Sequence, residues 1–188
     1  MRPAALADDF TGTAAVIAHA VDALAQQGQV FDYACCIYAT APLLQASFLR
    51  EGFELLERHP ERSFAFSVCE FGFPIQRALT PPRSTLLSLH DALPIQRALT
   101  LTGDGALTAL YPEHRQTRSQ DLPPAFQDAG QFYWGRSAAW LRGDVLFSDK
   151  SLPVLLPRHL VQDIDTPEDW RRAEYLYSAL QAAGELQS

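Results

Sequence analysis

The chain has 188 residues, 47% of them hydrophobic, enough to build one compact domain around a sizeable core. Its formal charge of -7 excludes a general affinity for nucleic acid or anionic membrane, because nonspecific phosphate binding needs a basic surface. No apolar run approaches the roughly twenty residues that span a bilayer, and the N-terminus lacks the charged-then-apolar build of a signal peptide. A cytoplasmic protein acting on a small molecule or another protein is expected. Cys35, Cys36 and Cys69 are too few and too badly spaced for a zinc site and read as reduced, structural thiols.

In chain order, Thr11-Gly-Thr13 precedes AAVIAHAVDALAQQG, where Val16, Ile17, Ala20, Val21 and Leu24 fall on one helical face and Gly28 offers a stop. YACCIYATAP, residues 33–42, is a short apolar run ended by Thr40-Ala-Pro42, the pattern of a buried strand leading into a loop. FLREGFELLERHP predicts a second helix with Phe48, Phe53, Leu55 and Leu56 apolar and His59-Pro60 at its end. SFAFSVCEF, residues 63–71, alternates and predicts a strand. From 101 to 130 the periodicity fades, and QFYWGRS, residues 131–137, predicts another strand. Thr166-Pro-Glu-Asp169 then supplies a capping hydroxyl, a first-turn proline and two N-terminal carboxylates to a last helix, with Trp170, Ala173, Tyr177 and Leu180 as its stripe. This alternation predicts a single layered α/β domain over residues 1–188 with mainly parallel pairing.

Pro74-Ile-Gln-Arg-Ala-Leu-Thr80 recurs unchanged as residues 94–100. Two seven-residue copies do not make a solenoid. Removing residues 81–100 joins FGFPIQRALT to LTGDGAL without loss of sense, so that segment reads as an insert or duplication, either the scar of translated adapter sequence or a surface loop. No catalytic residue is placed there, His90 and Asp91 included.

Three stretches carry groups suited to chemistry. In an extended VQDIDT, Asp163 and Asp165 share one side while Ile164 faces the core. Two such carboxylates suit Mg²⁺, which keeps several waters and takes its other oxygens from substrate phosphates; the alternative is that one of them caps the following helix. Arg115 to Pro123 gathers guanidinium, amide and carboxylate groups, and Arg118 has the planar fork that grips a carboxylate by two hydrogen bonds, against the alternative of a solvated charged loop. Arg2-Pro3 with Asp8-Asp9-Phe10-Thr11-Gly12-Thr13 sets backbone donors and hydroxyls before a helix, where an anion or a polar ligand edge is favoured; helix capping by Thr11 or Thr13 is the alternative.

Taken together, RPAALADDFTGTAAVIAHAV, CCIYATAPLL, SFAFSVCEFGFPIQRAL, RSQDLPPAFQDAGQFYWG and VQDIDTPEDW resemble the acylneuraminate cytidylyltransferase family, and within it the pseudaminic acid branch. The resemblance covers essentially the whole chain outside residues 81–100. It implies a Rossmann-like nucleotide-diphospho-sugar transferase fold, three layers around a mainly parallel mixed sheet. The reaction it implies joins CTP to a nine-carbon 2-keto sugar acid with Mg²⁺, for surface glycan or flagellin glycosylation, by a homodimer. By motif, Asp163 and Asp165 become metal ligands, Arg2, Thr11 and Thr13 match positions lining the cytidine pocket, and Tyr38, Arg118 and Gln120 match positions on the sugar-acid side. Family members open with a strand and a Gly/Ser- and Arg/Lys-rich phosphate loop before the RPAALADD text, which here begins at residue 2. The resemblance therefore implies a chain without that strand and loop, poorly stable and nearly inactive alone. The alternative is a non-catalytic remnant that binds a sugar acid or a protein.

Overall fold

A computed structural model describes residues 2–8, 10–71, 99–101, 107–109 and 126–186. The strands are β1 (Tyr33–Ile37), β2 (Phe64–Glu70), β3 (Leu99–Leu101), β4 (Leu107–Ala109), β5 (Phe126–Arg136) and β6 (Ser151–Leu155). The helices are α1 (Thr13–Gln26), α2 (Ala46–Arg58), α3 (Ser137–Arg142) and α4 (Pro167–Ala183). The chain divides into two compact units, Met1–Val68 with Asp128–Ser188, and Cys69–Gln127. In the second unit β3 and β4 form an antiparallel ribbon, Leu99 opposite Ala109 and Leu101 opposite Leu107. Leu99 and Thr100 are the last two residues of the 81–100 segment; the rest of it lies outside the described residues.

The main sheet has the order β1-β5-β2-β6. β1 runs antiparallel to β5, with Tyr33 opposite Arg136 and Ile37 opposite Phe132. β2 runs parallel to β6, with Phe64 opposite Ser151 and Val68 opposite Leu155. The fold is thus the expected Rossmann-like α/β type, built on an open and partly parallel sheet.

Side-chain alternation sorts the strands into layers. Phe64, Phe66 and Val68 of β2, Tyr133 of β5 and Ala34 and Cys36 of β1 pack on one face with Ile17 and Val21 of α1 and Ala139 and Trp140 of α3. Phe132 and Trp134 of β5, Cys35 of β1 and Val154 of β6 pack on the other with Phe48, Leu49 and Leu55 of α2. Leu180 and Leu176 of α4 meet Leu43 and Leu160 in a third cluster. The result is helices, sheet, helices, the three layers implied by the resemblance. Arg136 fastens α2 to the sheet: its guanidinium donates to Leu56 O at 2.7 Å and its Nε to Arg62 O at 2.8 Å, which satisfies carbonyls at and beyond the helix end.

Three details depart from the sequence expectations. α4 buries Asp169, Ala173 and Leu180, whereas Trp170 and Tyr177 are 57% and 48% exposed. The reason is at the helix start, where Asp169 turns inward to close the cap and so sets the phase of the buried face. α1 buries Ile17, while Ala20 and Leu24 are exposed. β6 carries Pro153 opposite Phe66, which is tolerated because β6 is an edge of the sheet, where a missing N–H costs no ladder bond.

Gly135 of β5 has room for nothing larger, since an added Cβ would strike the Trp140 ring and lie 2.7 Å from Phe64. Gly135→Ala is expected to destabilise the chain by at least about 2 kcal/mol, because neither ring can withdraw from the core. Urea unfolding followed by tryptophan fluorescence checks it; an unchanged midpoint would contradict this packing.

Candidate functional site

The first half of the site forms where α1 begins beside the end of β1. Tyr38 extends β1 by one bond, its N–H donating to Gln131 O at 2.9 Å. Its hydroxyl lies 2.6 Å from Thr13 Oγ1. The cap position of α1 is Gly12, and neither Thr11 nor Thr13 caps the helix with its side chain. The capping alternative is thereby replaced by a contact between Thr13 and Tyr38. One residue matched to the cytidine pocket and one matched to the sugar-acid side are hydrogen-bonded to each other.

Two residues that the sequence reading did not single out support this pair. The Tyr133 ring packs against Tyr38 with centroids 5.2 Å apart, and its hydroxyl donates to Asp128 Oδ2 at 2.5 Å. Burial, and then the Asp128 carboxylate, push the Tyr133 phenol far above its ordinary value, so it stays a protonated donor. Asp128 Oδ1 accepts from Gly130 N at 2.9 Å, and Gly130 adopts a φ of 62°. Ala129 and Phe132 share a layer although three residues apart, so the chain turns at Gly130 between them. Ser67 fills the gap: its Oγ accepts from Gln131 N at 3.1 Å and Phe132 N at 3.2 Å.

The segment before α1 is closed on itself. Asp8 Oδ1 accepts from Phe10 N at 2.9 Å and Thr11 N at 2.6 Å. The Thr11 hydroxyl, then those two amides, hold the Asp8 carboxyl below its ordinary range, with a smaller contribution from the Arg2 charge. Arg2 is exposed. Arg118 and Gln120 lie outside the described residues.

The second half of the site follows a 3-10 turn at Arg158–Leu160. The buried residues here are Leu160 and Gln162, with Ile164 half-buried rather than in the core. Gln162 Nε2 donates to Asp163 O at 2.6 Å and reaches Asp169 Oδ1 at 3.5 Å. Asp163 Oδ1 accepts from Ile164 N at 3.0 Å. The cap of α4 is Thr166, whose Oγ1 accepts from Asp169 N at 3.2 Å while Asp169 Oδ2 accepts from Thr166 N at 2.9 Å. That reciprocal box answers the capping alternative: α4 is capped by Thr166, not by Asp163 or Asp165. Among the described residues no group of three or more His, Cys, Asp and Glu forms a metal cage. Two carboxylates alone fit an ion that draws its remaining oxygens from water and substrate phosphates, the donor set of Mg²⁺.

The cysteines take no part. Burial pushes Cys35 up to about 12 and raises Cys36, which keeps both protonated and unreactive at neutral pH. Among the described residues no helix is long and apolar enough to cross a membrane.

The chain is 37% and 36% identical over 177 residues to pseudaminic acid cytidylyltransferases of two Campylobacter jejuni subsp. jejuni serotypes, O:2 and O:23/36, spanning 94% of this chain and 67% of each relative. It is 32% identical over 164 residues to a Helicobacter pylori protein named pseudaminic acid cytidylyltransferase and UDP-2,4-diacetamido-2,4,6-trideoxy-beta-L-altropyranose hydrolase, covering 87% of this chain and 27% of that protein. No protein-family model matches the chain. The fold and the relatives together mark the chain as a nucleotidyltransferase. At this identity and coverage, the chain belongs to the cytidylyltransferase family.

Asp169 links the site segment to stability. The Thr166 hydroxyl, then the Thr166 and Asp165 amides, hold its carboxyl below the ordinary range. A depressed carboxyl stabilises the fold above its unfolded value of about 3.9 and loses that contribution as pH falls through the lower folded value. Thr166→Ala is therefore expected to cost about 1 kcal/mol at neutral pH. The gap from the unmodified chain narrows on acidification below the carboxyl range. Thermal unfolding at pH 7 and pH 2.5 checks it; a gap that widens in acid would contradict the box.

Proposed function

We propose that this chain transfers CMP from CTP to pseudaminic acid or a related nine-carbon 2-keto sugar acid, as a homodimer in the cytoplasm, feeding surface glycan or flagellin glycosylation. The anomeric hydroxyl oxygen bonds to the α-phosphorus, the bond from that phosphorus to the bridging oxygen of the β-phosphate breaks, and pyrophosphate leaves while the hydroxyl proton passes to solvent. The names of the relatives support the reaction and the sugar. The observation that carries the reading is the Thr13–Tyr38 hydrogen bond, which joins a nucleotide-side and a sugar-side position in one contact.

The residues have distinct tasks. Thr13 and Tyr38 orient hydroxyl groups, and the part-buried Tyr133–Asp128 pair packs against the Tyr38 ring. Asp163 and Asp165 hold Mg²⁺, which when bound supplies positive charge against the phosphate oxygens. Arg118 grips the sugar carboxylate through its fork, with Gln120 beside it in sequence, and Arg2 and Thr11 complete the cytidine side.

Calorimetry with pseudaminic acid tests the reading, because it registers binding apart from turnover and so separates a catalytic site from a binding remnant. The chain is expected to bind the sugar acid, and Tyr38→Phe to weaken it about two- to tenfold, the worth of one hydrogen bond. Pyrophosphate release on adding CTP and Mg²⁺ supports catalysis, with Asp163→Asn and Asp165→Asn each abolishing it. No sugar-acid binding by the unmodified chain would contradict the reading.

A further inference from the structure

We propose that Gln131 is a positioning residue that couples the two halves of the site, the Tyr38 side and the Asp163/Asp165 side. The proposal rests on the metal and substrate roles given above. Gln131 has 0% exposure in the middle of β5. Its Nε2 donates to Leu160 O at 2.6 Å, and its Oε1 has no hydrogen-bond partner among the described residues. A buried acceptor left without a partner is costly, and an apolar side chain of the same volume would avoid that cost. The carboxamide is thus a poor choice for packing alone.

What the carboxamide provides is a tether. Leu160 is three residues before Asp163, and a second buried carboxamide, that of Gln162, holds the Asp163 carbonyl at 2.6 Å. On its backbone, Gln131 takes the Tyr38 N–H at its carbonyl and gives its own N–H to Ser67 Oγ. One residue therefore bonds to the sugar-side tyrosine and to the turn that leads into the paired carboxylates. Shifting either half moves the other through this residue.

Mn²⁺ is the probe, its binding to the intact 188-residue chain followed by electron paramagnetic resonance. Gln131→Met keeps the volume and removes the donor; it is expected to weaken Mn²⁺ binding about tenfold, as loss of an outer-shell partner does. Phe132→Leu, an equally buried neighbour on the same strand, is the packing control and is expected to lower the unfolding temperature with Mn²⁺ affinity kept. A second measurement needs no variant: adding Mg²⁺ to the unmodified chain is expected to slow hydrogen exchange at the Tyr38 amide severalfold, and it decides the matter if Gln131→Met does not fold. If the unmodified chain binds no Mn²⁺, the metal role of Asp163 and Asp165 falls and the coupling with it. If it binds Mn²⁺, but Gln131→Met binds equally well or Mg²⁺ leaves Tyr38 exchange unchanged, the coupling alone is overturned.

Discussion

Strand β5 is hydrogen-bonded along both edges and packed on both faces, and the rest of the molecule is arranged to satisfy it. Its neighbours are β1 and β2, its Tyr133 serves the α1 layer, and its Phe132 and Trp134 serve the α2 layer. A strand so enclosed leaves no water for its backbone groups, so every departure from the ladder must be repaired by protein. The positive-φ turn at Gly130 is such a departure. The Ser67 hydroxyl repairs it by accepting two successive amides, and the Asp128 carboxylate steadies the turn on its other side.

Across that turn, Asp128 and Tyr133 are hydrogen-bonded, and the Tyr133 ring packs against Tyr38. Beside it, the Gln131 side chain donates to Leu160 O. At the other end, capping of α4 is carried by Thr166 and Asp169. Thus a local irregularity in one strand and a local rule of helix termination set out two polar segments.

The elements with strong punctuation were legible in the sequence. The stop at Gly28, the His59-Pro60 end of α2 and the Thr166-Pro167 start of α4 each reflect a backbone preference that acts within a few residues. The phase of α4 was not legible, because aromatic Trp170 and Tyr177 look more apolar than the Asp169 that turns inward to close the cap. β6 was hidden by Pro153, whose tolerance depends on being at a sheet edge, and α3 by its six residues. Within the candidate site, Thr13, Asp163 and Asp165 stood out in their local sequence and Tyr38 through the family motif, whereas Gln131 and Tyr133 were read only as part of a strand and Asp128 lay where the periodicity fades. A polar side chain inside an apolar run is the one available signal for Gln131. Its meaning comes from Leu160, a partner 29 residues away.

The central claim is that the Tyr38 side and the Asp163/Asp165 side serve one bound sugar acid. Mn²⁺-induced broadening of the proton resonances of pseudaminic acid tests it most directly, because broadening requires metal and sugar to be close on the same molecule. Broadening in the unmodified chain that disappears in Asp163→Asn with sugar binding retained is the predicted result. Sugar binding without broadening, or broadening that survives loss of both carboxylates, would contradict a single shared site.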